Sequence, residues 1–424
     1  MLDKLWNKDF SLIIIVQVLA LFGNAILSFA LPLYILDISG SPALFGTVLA
    51  LSFVPLIVMS PVGGVIADRG KKQRIMFCLD VITSVIIVLY IVASEFVAAV
   101  VPIVIVKLIA LNVVQGLYMP TTMSSVPFLV SADKLVPANA IANSVFSLSN
   151  IIGPIIAGIL YAAFGLFPIL VASFVIFVIA AIIDLFIRIP FKKQNSQSSI
   201  MRMLKNDLSQ CARFALKEKP ILGKVGLVMF LFGIPSTGMI IVGLPVLITQ
   251  TLGMYMGLFG LSQGIMMGGG LLGGILAGTL EKRLTIQKAH LSLLLCSIAI
   301  APIGLAFLFA APTNITYIII TLSGTLIMMT TQIVVIQILA FIQLETPKEL
   351  VGKILAIAMS LMLGSYPVGQ FLFGVLLERF AALPWLVMFI AVFMSGIIAA
   401  YSRKHFRKIA ANVLKKQGRT AETV

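Results

Sequence analysis

The sequence has few charged residues and few of the side chains from which enzymes build their sites. Only 11% of its 424 residues are charged, whereas 60% are hydrophobic; ordinary soluble domains have about 25% charged residues. A soluble fold of this length cannot bury so large an apolar fraction, because its surface falls too slowly with size. The composition excludes a water-soluble enzyme. It suffices for about twelve membrane spans of roughly 20 apolar residues each.

Catalytic and metal-binding combinations are also missing. The two histidines, His290 and His405, lie beside basic residues rather than among acids or cysteines. The three cysteines, Cys78, Cys211 and Cys296, have no spacing typical of a zinc site or a disulfide framework. The sequence contains no G-x-x-x-x-G-K-[ST] segment for nucleotide phosphates. We therefore expect a protein that is not an enzyme, needs no cofactor or metal, and is not driven directly by ATP.

Long apolar runs dominate what remains, and they predict an all-α membrane protein with twelve transmembrane helices. The runs lie near residues 10–36, 43–67, 75–95, 98–126, 138–162, 167–189, 222–248, 256–280, 288–311, 315–343, 354–377 and 383–402.

The positive charges predict the orientation of these spans. A net charge of +15 in a soluble protein would suggest a nucleic-acid partner. Here all of the 30 lysines and arginines except Lys107 and Arg379 fall in the loops and termini of one side. This is the positive-inside pattern, and the basic excess suits an anionic inner leaflet. It predicts a lipid rather than a nucleic-acid environment, with both termini in the cytoplasm.

One long polar stretch divides the chain and defines its expected domains. Apolar residues at helical spacing, with basic residues between them, favour an amphipathic helix on the membrane surface within this stretch; a solvated linker is the alternative. The expected organisation is a six-helix bundle over 1–190, a cytoplasmic linker over 191–220, a second six-helix bundle over 221–402 and a basic cytoplasmic tail over 403–424.

Short sequence elements recur in the two halves in the same order and at nearly one offset. Such a parallel repeat predicts two pseudo-symmetric bundles that expose a central cavity alternately to each side. The pairs are Leu21-Phe22-Gly23 and Leu231-Phe232-Gly233, Leu31-Pro32 and Leu244-Pro245, Phe45-Gly46 and Phe259-Gly260, and Gly63-Gly64 and Gly273-Gly274.

The loop after span 2 carries G-V-I-A-D-R-G-K-K, residues 64–72. Glycine permits close helix contact, and an aspartate can cap a helix or pair with a base. The segment resembles the loop 2–3 signature G-x-x-x-D-R-x-G-R-R of the major facilitator superfamily, although the last glycine comes one residue early and lysines replace the arginines. The resemblance implies a transporter fold of two six-helix bundles. It implies a conformational latch formed by Gly64, Asp68 and Arg69.

Span 5 carries N-I-I-G-P-I-I-A-G, residues 150–158. Proline removes a backbone donor, and the glycines allow close packing. The segment resembles the superfamily's antiporter signature G-P-x-x-G-G, with alanine in place of one glycine. In the family this motif accompanies exporters, which assigns an antiporter-like role to Gly153, Pro154 and Gly158.

Span 4 resembles the superfamily's R-x-x-Q-G motif but has Asn112 where the family places its proton-coupling arginine. Lys107 lies one and a half turns earlier, and a lysine within a span costs roughly 2.5–3.5 kcal/mol. Two interpretations are open. Lys107 faces a cavity or a partner such as Asp37 or Glu95, or its ammonium snorkels to the outer surface.

Acids are missing from the middle of spans 1, 4, 7 and 10, which line the cavity in this family. Amides and other polar groups stand there instead and suit a large neutral or weakly charged substrate, although each could equally form a helix–helix hydrogen bond. The candidate cavity residues are Gln17, Asn24, Lys107, Asn112, Gln115, Gln263, Gln332, Gln337 and Tyr366. The candidates for proton coupling are Asp37 and Asp80.

Longer segments resemble the macrolide-efflux branch of the superfamily, among them S-G-S-P-A-L-F-G at 39–46 and Q-L-E-T-P-K-E-L-V-G-K at 343–353. The resemblance implies a monomeric exporter in a bacterial cytoplasmic membrane, exchanging a hydrophobic, macrolide-like molecule for protons. Export of an endogenous metabolite, peptide or siderophore, or flipping of a lipid or lysolipid, is the alternative. A membrane-embedded enzyme or a sensor is a different class, disfavoured because neither a catalytic cluster nor a soluble domain is evident.

Overall fold

The computed structural model describes residues 5–96, 100–190, 214, 218–280, 288–347 and 350–416. Twelve helices within these residues are long and apolar enough to cross a membrane, which confirms the predicted all-α class. The helices are α1 Lys8–Ser39, α2 Pro42–Arg69, α3 Lys72–Phe96, α4 Val100–Ser125, α5 Leu135–Phe164, α6 Leu166–Asp184, α7 Pro220–Gly238, α8 Met256–Thr279, α9 Ala289–Leu308, α10 Thr313–Glu345, α11 Val351–Arg379 and α12 Pro384–Lys416.

Most helix ends lie within a few residues of the predicted ones. The sixth span is the exception, because α6 ends at Asp184 rather than near residue 189, where the chain leaves the helix in a tight turn. The helix α12 continues beyond the predicted end of the last span at residue 402. The amphipathic helix predicted for 191–220 falls mostly outside the described residues.

Local sequence explains the sharp turn between α1 and α2. Gly40 ends α1 in a left-handed conformation, with φ of 61°, which glycine adopts without steric cost. The next residue, Ser41, begins α2: its hydroxyl accepts a hydrogen bond from the amide of Leu44 at 3.0 Å. Pro42 follows at the first helical position, where its missing N–H costs nothing. Three consecutive residue types thus place two spans side by side.

Helix α7 is extended by two π-helical segments. Met239–Gly243 and Val246–Thr251 follow it, so the apolar span runs continuously from Pro220 to Thr251. The wide turns occur around Pro245, which lacks the backbone donor of a regular α-helix. π-Helical turns of this kind are rare and are frequent at functional sites.

The chain divides into two compact units. The first comprises Met1–Gln197 together with Met254–Gly264, and the second comprises Ser198–Gly253 together with Ile265–Val424. In the first unit α2 packs on α4, α1 packs on α5 and α6, and α3 packs on α4 and α6. In the second unit α7 packs on α11, and α9 packs on α10 and α12.

Equivalent helices make equivalent close contacts within each unit. A Cβ atom on Gly63 of α2 would lie 2.7 Å from the carbonyl oxygen of Gly116 on α4. A Cβ atom on Gly273 of α8 would likewise clash with the backbone of Met329 on α10, 3.0 Å from its Cα. Both glycines belong to a repeated sequence pair, so the repeat in sequence corresponds to a repeated helix contact.

Candidate functional site

The glycine–proline segment of α5 packs closely on two other helices. A Cβ atom on Gly158 would lie 2.9 Å from the carbonyl oxygen of Met256 and 3.0 Å from the Cα of Gly260, at the start of α8. A Cβ atom on Gly153 would lie 2.6 Å from the Cβ of Ala25 on α1. Backbone-to-backbone contact of this kind requires glycine. The predicted motif residues are therefore packing residues in the first unit.

Pro154 belongs to the same contact. Its carbonyl oxygen would lie 2.6 Å from a Cβ atom on Gly260. One residue earlier on α8, the ring of Phe259 stacks on Phe29 of α1, with centroids 5.1 Å apart. The segment of α8 that belongs to the first unit is thus held by glycine contacts to α5 and by an aromatic contact to α1.

In the turn between α2 and α3, the close contact lies one residue from the predicted one. A Cβ atom on Gly64 would meet nothing within 4 Å, whereas Gly63 lies against the backbone of α4. Gly63 rather than Gly64 therefore makes the close contact of α2 with α4. Asp68 and Arg69 are exposed at the end of α2. The latch role of Gly64, Asp68 and Arg69 stays a prediction.

A missed interaction closes the same turn. Lys72, the first residue of α3, is buried, and its ammonium donates to the carbonyl oxygen of Ala67 at 2.9 Å. The same ammonium lies 4.7 Å from the centroid of the Phe128 ring. A carbonyl at a helix C-terminus is a favourable partner for a cation. Through this hydrogen bond Lys72 links the start of α3 to the end of α2.

Lys107 lies in the interior of the first unit. Its side chain is only 3% exposed, and its ammonium sits 4.1 Å from the centroid of the Tyr90 ring on α3. No described residue accepts a hydrogen bond from this ammonium. The snorkelling interpretation is corrected, because the side chain is enclosed by protein rather than directed to the surface. A cation–π contact with Tyr90 stabilises the ammonium. The N–H groups of the ammonium can still donate hydrogen bonds to a ligand or water.

The predicted coupling residue Asp37 has a different environment. It is exposed near the end of α1, where its Oδ2 accepts a hydrogen bond at 3.1 Å from the hydroxyl of Tyr161 on α5. This bond joins the same two helices that meet at Gly153 and Ala25. An exposed aspartate with a tyrosine donor is suited to linking two helices at the surface.

Several predicted cavity amides form local or helix–helix bonds. The amide nitrogen of Gln17 donates to the carbonyl oxygen of Ala142 on α5 at 3.2 Å, and that of Asn112 donates to Leu108 on its own helix at 3.0 Å. Gln332 is exposed on α10. The bonds of Gln17 and Asn112 are the structural alternative that the sequence left open, so these two amides are less suited to substrate than the others.

The other candidates are buried or half-buried, and their place in a cavity stays a prediction. Gln263 has a buried side-chain oxygen for which no described residue is a donor, whereas Gln337 is buried in the second unit. Asn24, Gln115 and Tyr366 are half-buried. Asn24, Gln115 and Gln263 belong to the first unit, and Gln337 and Tyr366 belong to the second.

Asp80, the other predicted coupling residue, is paired with a second acid. It is 1% exposed on α3, and its carboxyl group lies close to that of Asp184, the last residue of α6, which is 0% exposed. The hydroxyl of Tyr118 on α4 is buried and close to both. In the sequence, the only local signal of Asp184 is its position inside the apolar run predicted to continue to residue 189.

Two ionic contacts outside the apolar cores were also missed. The ammonium of Lys219, before α7, lies 2.6 Å from a carboxylate oxygen of Glu345 at the end of α10. In the segment between α4 and α5, hydrogen bonds from Ser131 and Lys134 hold the pKa of Asp133 below its usual range. The first contact joins two helices of the second unit, whereas the second stays within one exposed loop.

Twelve apolar helices in two units of repeated helix contacts define a multi-pass α-helical membrane protein. A model of the Major Facilitator Superfamily matches residues 13–365. The chain therefore belongs to this superfamily and is a membrane transporter of that class.

The relatives point to efflux and to the same fold. Macrolide efflux protein A of Streptococcus pyogenes is 27% identical over 185 residues, which are 44% of this chain and 46% of that protein. The chain thus matches less than half of that relative's length. A nucleoside transporter has a similar structure, with a TM-score of 0.74 and 13% identity over 94% of this chain and 99% of its own. A bacterial homologue of the iron transporter ferroportin is also similar, with a TM-score of 0.71 and 15% identity over 93% of this chain and 98% of its own. These two likenesses show the fold.

Proposed function

We propose that this chain exports hydrophobic, macrolide-like small molecules by alternating access, in exchange for protons. The observation that carries the proposal is the packing of Gly153, Pro154 and Gly158 on neighbouring helices. In this superfamily that segment accompanies exporters, and here its glycines are used as contact residues rather than being incidental. The match to Macrolide efflux protein A supports a macrolide as the first substrate class to test.

The polar groups of the first unit support a neutral or weakly charged substrate. Lys107 is a buried cation without a carboxylate partner among the described residues, which disfavours a strongly cationic ligand nearby. Asn24, Gln115 and Gln263 offer amides that can donate or accept hydrogen bonds. Such a lining suits a large amphiphile with hydroxyl and carbonyl groups.

The charge distribution supports the orientation of the chain in the membrane. All but two of the lysines and arginines fall on the side of the termini, so we place both termini in the cytoplasm of a bacterial cell. The transporter would act as a monomer, since the superfamily's fold encloses its cavity within one chain. Asp68 and Arg69, exposed at the end of α2 on that same side, are the proposed latch.

Accumulation of labelled erythromycin tests the proposal. Cells expressing the chain should accumulate less of it than cells that do not express the chain. Collapse of the proton gradient should abolish the difference. Equal accumulation, with the protein confirmed in the membrane, would exclude macrolide export. A comparison of exported compounds and of leaflet lipids would then distinguish a metabolite, a peptide, a siderophore and a lipid.

A further inference from the structure

The first unit contains two acids in direct contact inside a helix bundle. The carboxyl groups of Asp80 and Asp184 lie close enough to interact directly, and both residues are buried. Among the described residues no donor reaches Oδ2 of Asp80 or either carboxyl oxygen of Asp184. Two ionised carboxylates repel each other and can only accept hydrogen bonds, so the contact is favourable when one group carries a proton and donates it to the other.

The surroundings favour retention of this proton. Asp184 is the last residue of α6, where the helix dipole disfavours a negative charge. Among the described residues of the helices packed on α3 and α6, the titratable group that interacts with both acids is Tyr118 of α4. Of the two cations on α3, Lys72 is engaged with the carbonyl oxygen of Ala67 and the ring of Phe128, and Arg74 is exposed. The pair therefore lacks a cationic partner within the described chain.

Four buried oxygens have unused hydrogen-bonding capacity here. Neither oxygen of Asp184 nor Oδ2 of Asp80 receives a hydrogen bond from a donor group of the described residues, and the hydroxyl of Tyr118 has no partner among them. Buried polar groups are rarely left without a hydrogen-bond partner. A hydroxyl close to both acids can donate to whichever carboxylate is ionised, which makes Tyr118 a positioning residue for the proton.

A short route leads from this pair to the surface. The side-chain amide of Gln73 donates to the backbone carbonyl oxygens of Asp184 and Leu185, at 3.0 Å each, and the second of these bonds is exposed. The backbone next to the pair therefore reaches the surface at the end of α6, although both carboxyl groups are buried.

We propose that Asp80 and Asp184 share one proton and together form the protonation site that couples transport to the proton gradient. Coupling in this chain is thereby assigned to a carboxyl pair between α3 and α6, positioned by Tyr118, rather than to Asp37. The inference deepens the proposed function. Its test by transport rests on that function, whereas its test by detection of the bound proton does not.

Infrared spectroscopy of the purified full-length chain at neutral pH in D₂O tests the shared proton without any substrate. The wild-type chain should show the carbonyl stretch of a protonated carboxylic acid, and this band should be lost in both Asp80→Asn and Asp184→Asn. Asp133→Asn, which alters an exposed carboxylate, should keep it. Absence of the band in wild type, its persistence in both pair variants, or its removal by sodium ions in place of protons would overturn the proposal.

Transport by proteoliposomes separates coupling from structure. Asp184→Asn should retain exchange of erythromycin across the membrane at equal concentrations and lose accumulation driven by a pH gradient. A merely structural pair would lose both activities or neither, and either result would overturn the coupling role. If wild type exchanges no erythromycin, the substrate assignment fails, while the infrared bands still decide whether the pair holds a proton.

Discussion

Gly158 and Gly260 face each other with no side chain between them, and a Cβ atom on either would lie about as close to the other's Cα as atoms can approach: 3.0 Å from Gly158 and 3.1 Å from Gly260. The contact ties the exporter-like segment of α5 to the first turns of α8. The close approach of α5 and α8 thus requires that both positions lack a side chain.

Replacing Gly158 by leucine should abolish erythromycin export or prevent folding, because the larger side chain has only backbone atoms to displace. Gly158→Ala should weaken transport less, at a cost of about 1–3 kcal/mol for overpacking. Export and membrane level should be measured together. Wild-type export by Gly158→Leu would show that the two helices can separate freely.

Gly63 and Gly64 are adjacent glycines, of which only Gly63 contacts another helix, so each can serve as the control for the other. Gly63→Ala should lower the melting temperature of the purified protein, because the new Cβ would lie 2.7 Å from the Gly116 oxygen and 2.8 Å from the Leu117 Cα. Gly64→Ala should be neutral or stabilise by up to about 1 kcal/mol, since its Cβ meets no atom and alanine favours helix. The reverse order of the two melting temperatures would contradict the helix contact described here.

Lys107 should be needed for transport rather than for stability. Lys107→Met keeps the length of the side chain and removes the charge, so the folded protein should be at least as stable while erythromycin export is lost. Tyr90→Leu should instead destabilise the protein, because it removes the cation–π contact, worth about 2 kcal/mol when desolvated. Normal export by Lys107→Met would place Lys107 outside the transport mechanism.

Asp68 should act on transport alone. Asp68→Asn leaves the size of an exposed side chain unchanged, and we expect loss of export with unchanged membrane level and melting temperature. Asp133→Asn, another exposed loop aspartate, is the control and should export normally. Equal export by the two variants would remove the latch role.

The ion pair of Lys219 and Glu345 should contribute modestly to stability. Lys219→Ala should lower the free energy of unfolding of the second unit by about 1 kcal/mol or less, since both side chains are partly exposed. Charge reversal at one position should cost more than the alanine change, and reversal at both should restore most of the loss. A double reversal no better than either single one would show that the pair is incidental.

The sequence predicted the helices well because a span is a local property. Each apolar run is readable from its own residues, and only the ends of α6 and α12 were misplaced by more than a few positions. Contacts between helices were harder to predict from the sequence. Asp80 and Asp184, for example, are about a hundred residues apart, and no local sequence pattern indicates that they meet. The choice between Gly63 and Gly64 likewise depends on which side of α2 faces α4, which a one-residue shift changes by about 100°.

The π-helical turns of α7 also explain an irregularity in the internal repeat. Leu21 and Leu231 begin equivalent segments, as do Leu31 and Leu244, yet the spacing is longer in the second copy. The first π-helical segment, Met239–Gly243, lies inside this longer interval. A π-turn absorbs one extra residue without breaking the helix. Part of the inserted length thus widens α7 instead of forming a loop, and a one-residue deletion in this segment should convert the π-turn to regular α-helix.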